Sequence, residues 1–92
     1  DNFKLEQNYP NPFNPVTTIN FSIPVNGNLE LKLFDILGKE VQSLVKGTYN
    51  SGTYRLNFNG SNLQSGVYFY ALNFNGDNGV SYTDRKKLIL IK

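Results

Sequence analysis

Histidine and cysteine are both absent from this 92-residue chain, and paired carboxylates remain possible acid–base groups among Asp1, Glu6, Glu30, Asp35, Glu40, Asp77 and Asp84. Ser-His-Asp and Cys-His nucleophiles and thiolate metal sites are excluded outright. None of the seven carboxylates stands in a catalytic motif. Glu30 falls on the polar side of an alternating run, and Asp35 has a sufficient role in a turn. We read the chain as no enzyme. The loop Asn75-Gly76-Asp77-Asn78-Gly79 is rich in oxygen and could hold a weak calcium ion. Calcium takes six to eight oxygens and this loop offers one carboxylate, so a bare hairpin loop is the better reading. No glycine-rich loop precedes a helix to cradle phosphate. We expect no cofactor and no metal.

Two surface chemistries remain. Arg85-Lys86-Lys87 is the one basic cluster, either a solvated strand edge or a handle for a partner. Tyr68, Tyr70 and Tyr82 could form a flat aromatic platform for a sugar. If the strand that carries the first two is central, they are core instead.

The elements that position these groups are written in a period of two. Ile19, Phe21 and Ile23 alternate with Thr18, Asn20 and Ser22; Leu29, Leu31 and Leu33 alternate with Asn28, Glu30 and Lys32; Tyr54, Leu56 and Phe58 alternate with Thr53, Arg55 and Asn57. Each reads as a strand with one buried and one wet face, the antiparallel habit. Val67 to Phe74 is apolar on both faces, as a central strand would be, and Leu88 to Ile91 is similar. Lys39 to Val45 reads as a strand between two glycines. Asn-Gly pairs at 26–27, 59–60, 75–76 and 78–79 are hairpin signals. Asp35 to Gly38 fits a turn in which Asp35 accepts from the backbone and Gly38 takes positive φ. Turn signals every 8–12 residues or so predict an all-β fold, an Ig-like antiparallel β-sandwich of about seven strands.

Composition agrees with one domain. Aromatic residues make up 14% and charged residues 17%, with fourteen asparagines supplying much of the polarity. A net charge of +2 is too small to make nucleic acid or an anionic membrane the main partner. No apolar run is long enough to form a transmembrane helix. A start at Asp1 without methionine or leader reads as a piece of a longer protein.

YPNPFNP, residues 9–15, is the anomaly. Pro10, Pro12 and Pro15 remove three backbone donors and push Tyr9, Asn11 and Asn14 toward extended geometry. The sequence predicts a stiff extended segment, stapled to the sandwich by Tyr9 and Phe13.

Taken together, YPNPFNP, the stretch from Leu31 to Val41 (LKLFDILGKEV), Ser65-Gly66-Val67-Tyr68 and the closing Arg85 to Leu90 (RKKLIL) strongly resemble the type A C-terminal sorting domain of the type IX secretion system, found in Bacteroidetes and related phyla. The likeness runs from about Tyr9 to Lys92. A looser resemblance exists to the Ig-like domain of flagellar hook-cap proteins. The resemblance implies a non-catalytic domain, 9–92, preceded by 1–8 as the end of a linker from an upstream cargo domain. It implies a type IX translocon and a surface-processing protease as partners, with passage through the periplasm to the cell surface or medium. On it, Gly66 and Tyr68 match the family's SGxY motif and Lys86 and Lys87 its basic motif, followed by Leu88, Ile89 and Leu90 of the last strand. The chain's end at Lys92 fits a terminal tag, and we expect a monomer. The rival reading is an adhesive or carbohydrate-binding β-sandwich attached to a secreted enzyme.

Overall fold

The computed structural model describes residues 2–92. Seven strands form two antiparallel sheets: β1 (Lys4–Leu5), β2 (Val16–Ile23), β3 (Gly27–Asp35), β4 (Glu40–Tyr49), β5 (Gly52–Asn59), β6 (Gly66–Gly76) and β7 (Ser81–Leu90). One sheet has the order β1-β2-β5 and the other β4-β3-β6-β7. The antiparallel sandwich expected from the alternation is what the chain forms.

The period-two runs account for the core. Ile19, Phe21 and Ile23 of β2 face Leu29, Leu31 and Leu33 of β3 and Tyr68, Tyr70, Leu72 and Phe74 of β6, all buried. Phe58, Leu88, Leu90, Leu5 and Phe13 complete this cluster. Aromatic rings carry much of it, as a small domain needs.

Turn chemistry divides into two kinds. Asp35 Oδ1 accepts from the backbone N–H of Leu37 and of Lys39, each at 2.9 Å, and Gly38 stands at φ +87° in the β3–β4 hairpin. Asn75 to Gly79 closes the β6–β7 hairpin, with Gly76 N–H donating to Val80 C=O at 2.7 Å. The other two Asn-Gly pairs, however, are not hairpins. Asn26-Gly27 and Asn59-Gly60 lie where the chain crosses from one sheet to the other. Asn26 is held by partners from other loops: its Oδ1 accepts from Ser51 N–H and its carbonyl from Asp77 N–H, both at 2.8 Å.

Residues 9–15 differ from the expected rod. The X-Pro bonds at Tyr9-Pro10, Asn11-Pro12 and Asn14-Pro15 are cis, and the segment bends between two isolated bridges, Tyr9 to Thr18 and Phe13 to Leu90. Local hydrogen bonds hold the bends in place of strand pairing. Asn8 Nδ2 donates to Pro10 C=O at 3.1 Å and to Thr17 Oγ1 at 3.0 Å, and Thr17 Oγ1 donates to the same Pro10 carbonyl at 2.8 Å. The expected staple is half correct. Phe13 is buried edge-on to Phe58, with ring centroids 6.1 Å apart, whereas Tyr9 is 81% exposed.

The expected linker, 1–8, also needs correction. Asp1 lies outside the described residues. Leu5 is buried and β1 pairs with β2, while Phe3 stacks on Tyr82 at 4.9 Å. Asn8 is buried as well. The packed unit therefore begins ahead of Tyr9, because these side chains close the gap between the two sheets.

Candidate recognition surface

The two stretches that stood out at opposite ends of the sequence meet in space. Residues 7–13 run along the free side of β7, the edge strand of its sheet. Gln7 Nε2 donates to Lys87 C=O at 2.6 Å, and Ile89 N–H donates to Asn11 Oδ1 at 2.9 Å. Phe13 N–H donates to Ile89 C=O at 2.9 Å, and Ile91 N–H to Phe13 C=O at 3.0 Å. Exposed backbone groups of a terminal strand would otherwise invite pairing with another chain. Here those from Lys87 C=O to Ile91 N–H are already satisfied. Gly60 makes the approach possible: a Cβ there would meet Phe13 and Leu90 side chains at 3.3 Å.

Beneath this lacing lies one buried polar node. Asn8 N–H donates to Tyr70 Oη and Tyr70 O–H donates to Glu6 C=O, both at 2.7 Å. Tyr70 is fully buried, and burial pushes its hydroxyl up to about 12, partly offset by the Asn8 hydrogen bond. Nothing in the period-two pattern marks Asn8, Asn11 or Gln7 as partners. Asparagine is so common in this sequence that no single one stands out.

The alternation of β7 sorts its side chains between faces. Lys86 is the register partner of buried Tyr70, and Leu88 that of Tyr68, so Lys86, Leu88 and Leu90 share the inward face. Leu88 and Leu90 are buried there, while Lys86 is only half-buried. Lys87 is paired with Phe69, and Ile89 with Val67, on the outer face. The guanidinium of Arg85 stands 4.4 Å from the centroid of the Phe69 ring. The basic cluster is thus divided. Arg85 and Lys87 look outward, and Lys86 points toward the core side of an edge strand.

Tyr68 and Tyr70 are core and form no sugar platform. Tyr68 O–H donates to Gln64 C=O at 2.7 Å, and Tyr82 lies against Phe3. Gly66 is the first residue of β6, at φ +155°, with no atom within 4 Å of a Cβ built on it. Pro10 and Pro12 are exposed and Pro15 half-buried, and the Pro15 carbonyl accepts from Gly60 N–H at 2.8 Å. Ile36 and Leu37, at the tip of the β3–β4 hairpin, are 67% and 90% exposed. Sequence reading passed over them because they lie inside a turn signal. Among the described residues, no group of three or more acidic side chains is placed to hold a metal ion, and no helix is long and apolar enough to cross a membrane.

This geometry joins the opening motif to the last strand, and the sequence comparison covers the same span: the family model of the secretion system C-terminal sorting domain matches residues 7–91. The chain belongs to this family. Its members are C-terminal sorting domains of type IX secretion, so the fold is that of a signal for export out of the cell. The match begins at Gln7, where the lacing of β7 begins. No curated protein matches the sorting domain. Among solved structures, CopC from Methylosinus trichosporium OB3b is similar at 13% identity and a TM-score of 0.57, covering 97% of this chain and 93% of that one. The soluble domain of PmoD from Methylocystis sp. ATCC 49242 (Rockwell) gives 16% identity and a TM-score of 0.57, covering 84% and 73%. At such identities the likeness establishes the β-sandwich alone.

Proposed function

We propose that this domain is the address of a larger cargo protein, carried upstream in the same chain, and that the type IX translocon reads it in folded form during passage from the periplasm across the outer membrane. A surface protease then removes it, leaving the cargo at the cell surface or free in the medium. The domain acts by being recognised and has no chemistry of its own. Gly66, Lys87 and Ile89 belong to the recognised surface, while buried Tyr68, Leu88 and Leu90 and half-buried Lys86 hold the strands that present it, with Tyr9 to Pro15, Asp35 and Gly38 shaping the fold around it. The single observation that carries this reading is the family match over residues 7–91.

The test is export of a fluorescent reporter fused to residues 1–92, in a bacterium with a working type IX system and in a translocon-deficient strain. Reporter outside the first and held in the periplasm of the second is the expected result. Reporter retained in both, with the domain folded, would reject the reading.

A further inference from the structure

The free edge of β7 is occupied from Lys87 to Ile91 by backbone and side-chain groups of residues 7–13. A partner adding a strand there would have to displace four hydrogen bonds together with the buried Phe13 ring. Beside this occupied end of its edge, the strand presents an open outer face. On that face Phe34 of β3 is in register with Phe69 of β6 and Lys87 of β7, and the next row is Lys32, Ala71 and Arg85. An open groove of about 290 Å³ runs between them, lined by Phe34, Gly38, Ala71, Thr83 and Arg85.

Charge is distributed unevenly over this face. On the β3–β4 side Lys32 Nζ lies 3.6 Å from Glu30 and 3.1 Å from Glu40, so its positive charge is already matched. On the β7 side Arg85 and Lys87 are exposed, and among the described residues neither forms an ion pair. Arg85 rests on the Phe69 ring, which fixes where its charge stands. Two unmatched cations beside a half-buried aromatic strip complement an acidic surface that presents an apolar side chain.

We infer that the outer face of the β6–β7 pair docks an acidic protein surface, through Lys87 directly opposite Phe69 and Arg85 resting on its ring, and that the Lys87–Ile91 end of the β7 edge is not read by strand addition. This rests on the sorting reading and names the face and the partner chemistry it uses. Lys86 lies on the other side of the strand and contributes little to that contact.

The experiment is the export assay with three fusions, each checked for folding by circular dichroism and thermal melting. Arg85→Glu with Lys87→Glu reverses the docking face. Lys4→Glu with Arg55→Glu makes the same change in net charge on the other sheet, where both residues are exposed. Arg85→Gln with Lys87→Gln replaces the reversal should that variant fail to fold. Losing paired charges at an interface should lower export about tenfold for the reversal and about threefold for the glutamine pair, with the Lys4 and Arg55 control within about twofold of the parent. A folded reversal exported as well as the parent would overturn the inference while leaving the sorting reading intact. An equal loss in the control would overturn it too, since net charge rather than a face would then be read. A parent fusion that stays in the periplasm would sink the sorting reading itself, and this inference with it.

Discussion

The two long sides of the sandwich solve the same problem differently. Between β2 and β7 the chain fills the gap with residues 3–13, whose backbone and amide groups satisfy the end of β7 and whose Leu5 and Phe13 join the core. On the other side, β4 and β5 are edge strands of different sheets, joined through the turn at Asn50-Ser51 and left uncovered. There Tyr49 and Tyr54 pack edge to face at 5.3 Å and are only half-buried. The β4 edge is protected by disruption instead: its register with β3 shifts between Leu31 and Lys32 and again between Leu33 and Phe34. Bulges of this kind twist an edge away from regular pairing. One side is closed by occupation and the other by irregularity. The laced side carries YPNPFNP and the closing RKKLIL, while LKLFDILGKEV lies in the β3–β4 hairpin. Stability and recognition should therefore be coupled on the β2–β7 side and separable on the β4–β5 side.

The largest expected effect tests that asymmetry directly. Phe13→Ala removes a buried ring between Phe58, Leu90 and Gly60, and should cost about 3–5 kcal/mol. For a domain of this size the melting temperature would fall by roughly 15 °C or more. Tyr49→Ala, on the uncovered side, should cost about 1–2 kcal/mol. Equal losses in thermal denaturation would break the comparison.

Tyr70→Phe comes next. It leaves the buried Asn8 N–H without its acceptor and should cost about 2 kcal/mol near neutral pH. The sign of its pH dependence follows from the raised hydroxyl. The unfolded chain ionises Tyr70 near 10.0, while the folded state keeps it neutral until about 12. Its contribution is complete below pH 10 and is lost as pH rises toward 12, by roughly 2–3 kcal/mol at most. The parent should therefore lose its advantage over Tyr70→Phe across that window, measured by paired denaturant titrations. A constant gap from pH 9 to 12 would show that the node does not govern the laced side.

Asn11→Ala should cost about 1 kcal/mol, since one amide acceptor for Ile89 N–H is lost at a partly solvated position. Amide exchange sharpens this case. Ile89 N–H should exchange faster in the variant, with the β4 amides unchanged.

How far these features were legible follows the same division. Alternation alone placed Ile19, Phe21, Ile23, Leu29, Leu31, Leu33 and Phe58 inside, because each of their strands has a wet face to contrast with the dry one. Tyr68 and Tyr70 were legible as core once β6 was central, apolar rows on both faces being what a covered strand shows. The polar half of β7, from Ser81 to Lys87, was not legible as strand. It lies at an edge, and β6 supplies the pairing that its own composition does not announce. Lys4-Leu5 is too short to show a period. The crossovers at Asn26-Gly27 and Asn59-Gly60 carry a hairpin signal, because a tight turn and a change of sheet both call for backbone freedom. Within the candidate surface, the split of Arg85 and Lys87 from Lys86 needed only the register of β7, which the sequence offers once its strand is known. The lacing by Gln7 and Asn11 and the node at Asn8 depend on contacts some sixty to eighty residues apart and have no local signature.

The smallest expected effect is the most pointed. Tyr9 opens the motif, and as an aromatic beside proline it reads as an anchor. Its ring is 81% exposed, and what holds the residue is the backbone pair with Thr18, Tyr9 N–H to Thr18 C=O and Thr18 N–H to Tyr9 C=O, each at 3.0 Å. Tyr9→Ala keeps both bonds and gives up little buried area, so it should change stability by less than about 0.5 kcal/mol. Set beside Phe13→Ala, it separates two aromatics four residues apart by burial alone. A melting temperature unchanged by the first and sharply lowered by the second would mean that the motif is fixed through Phe13 and its backbone, leaving the Tyr9 ring free for contact with a partner. A large loss from Tyr9→Ala would place that ring against the sandwich and return the segment to a purely structural role.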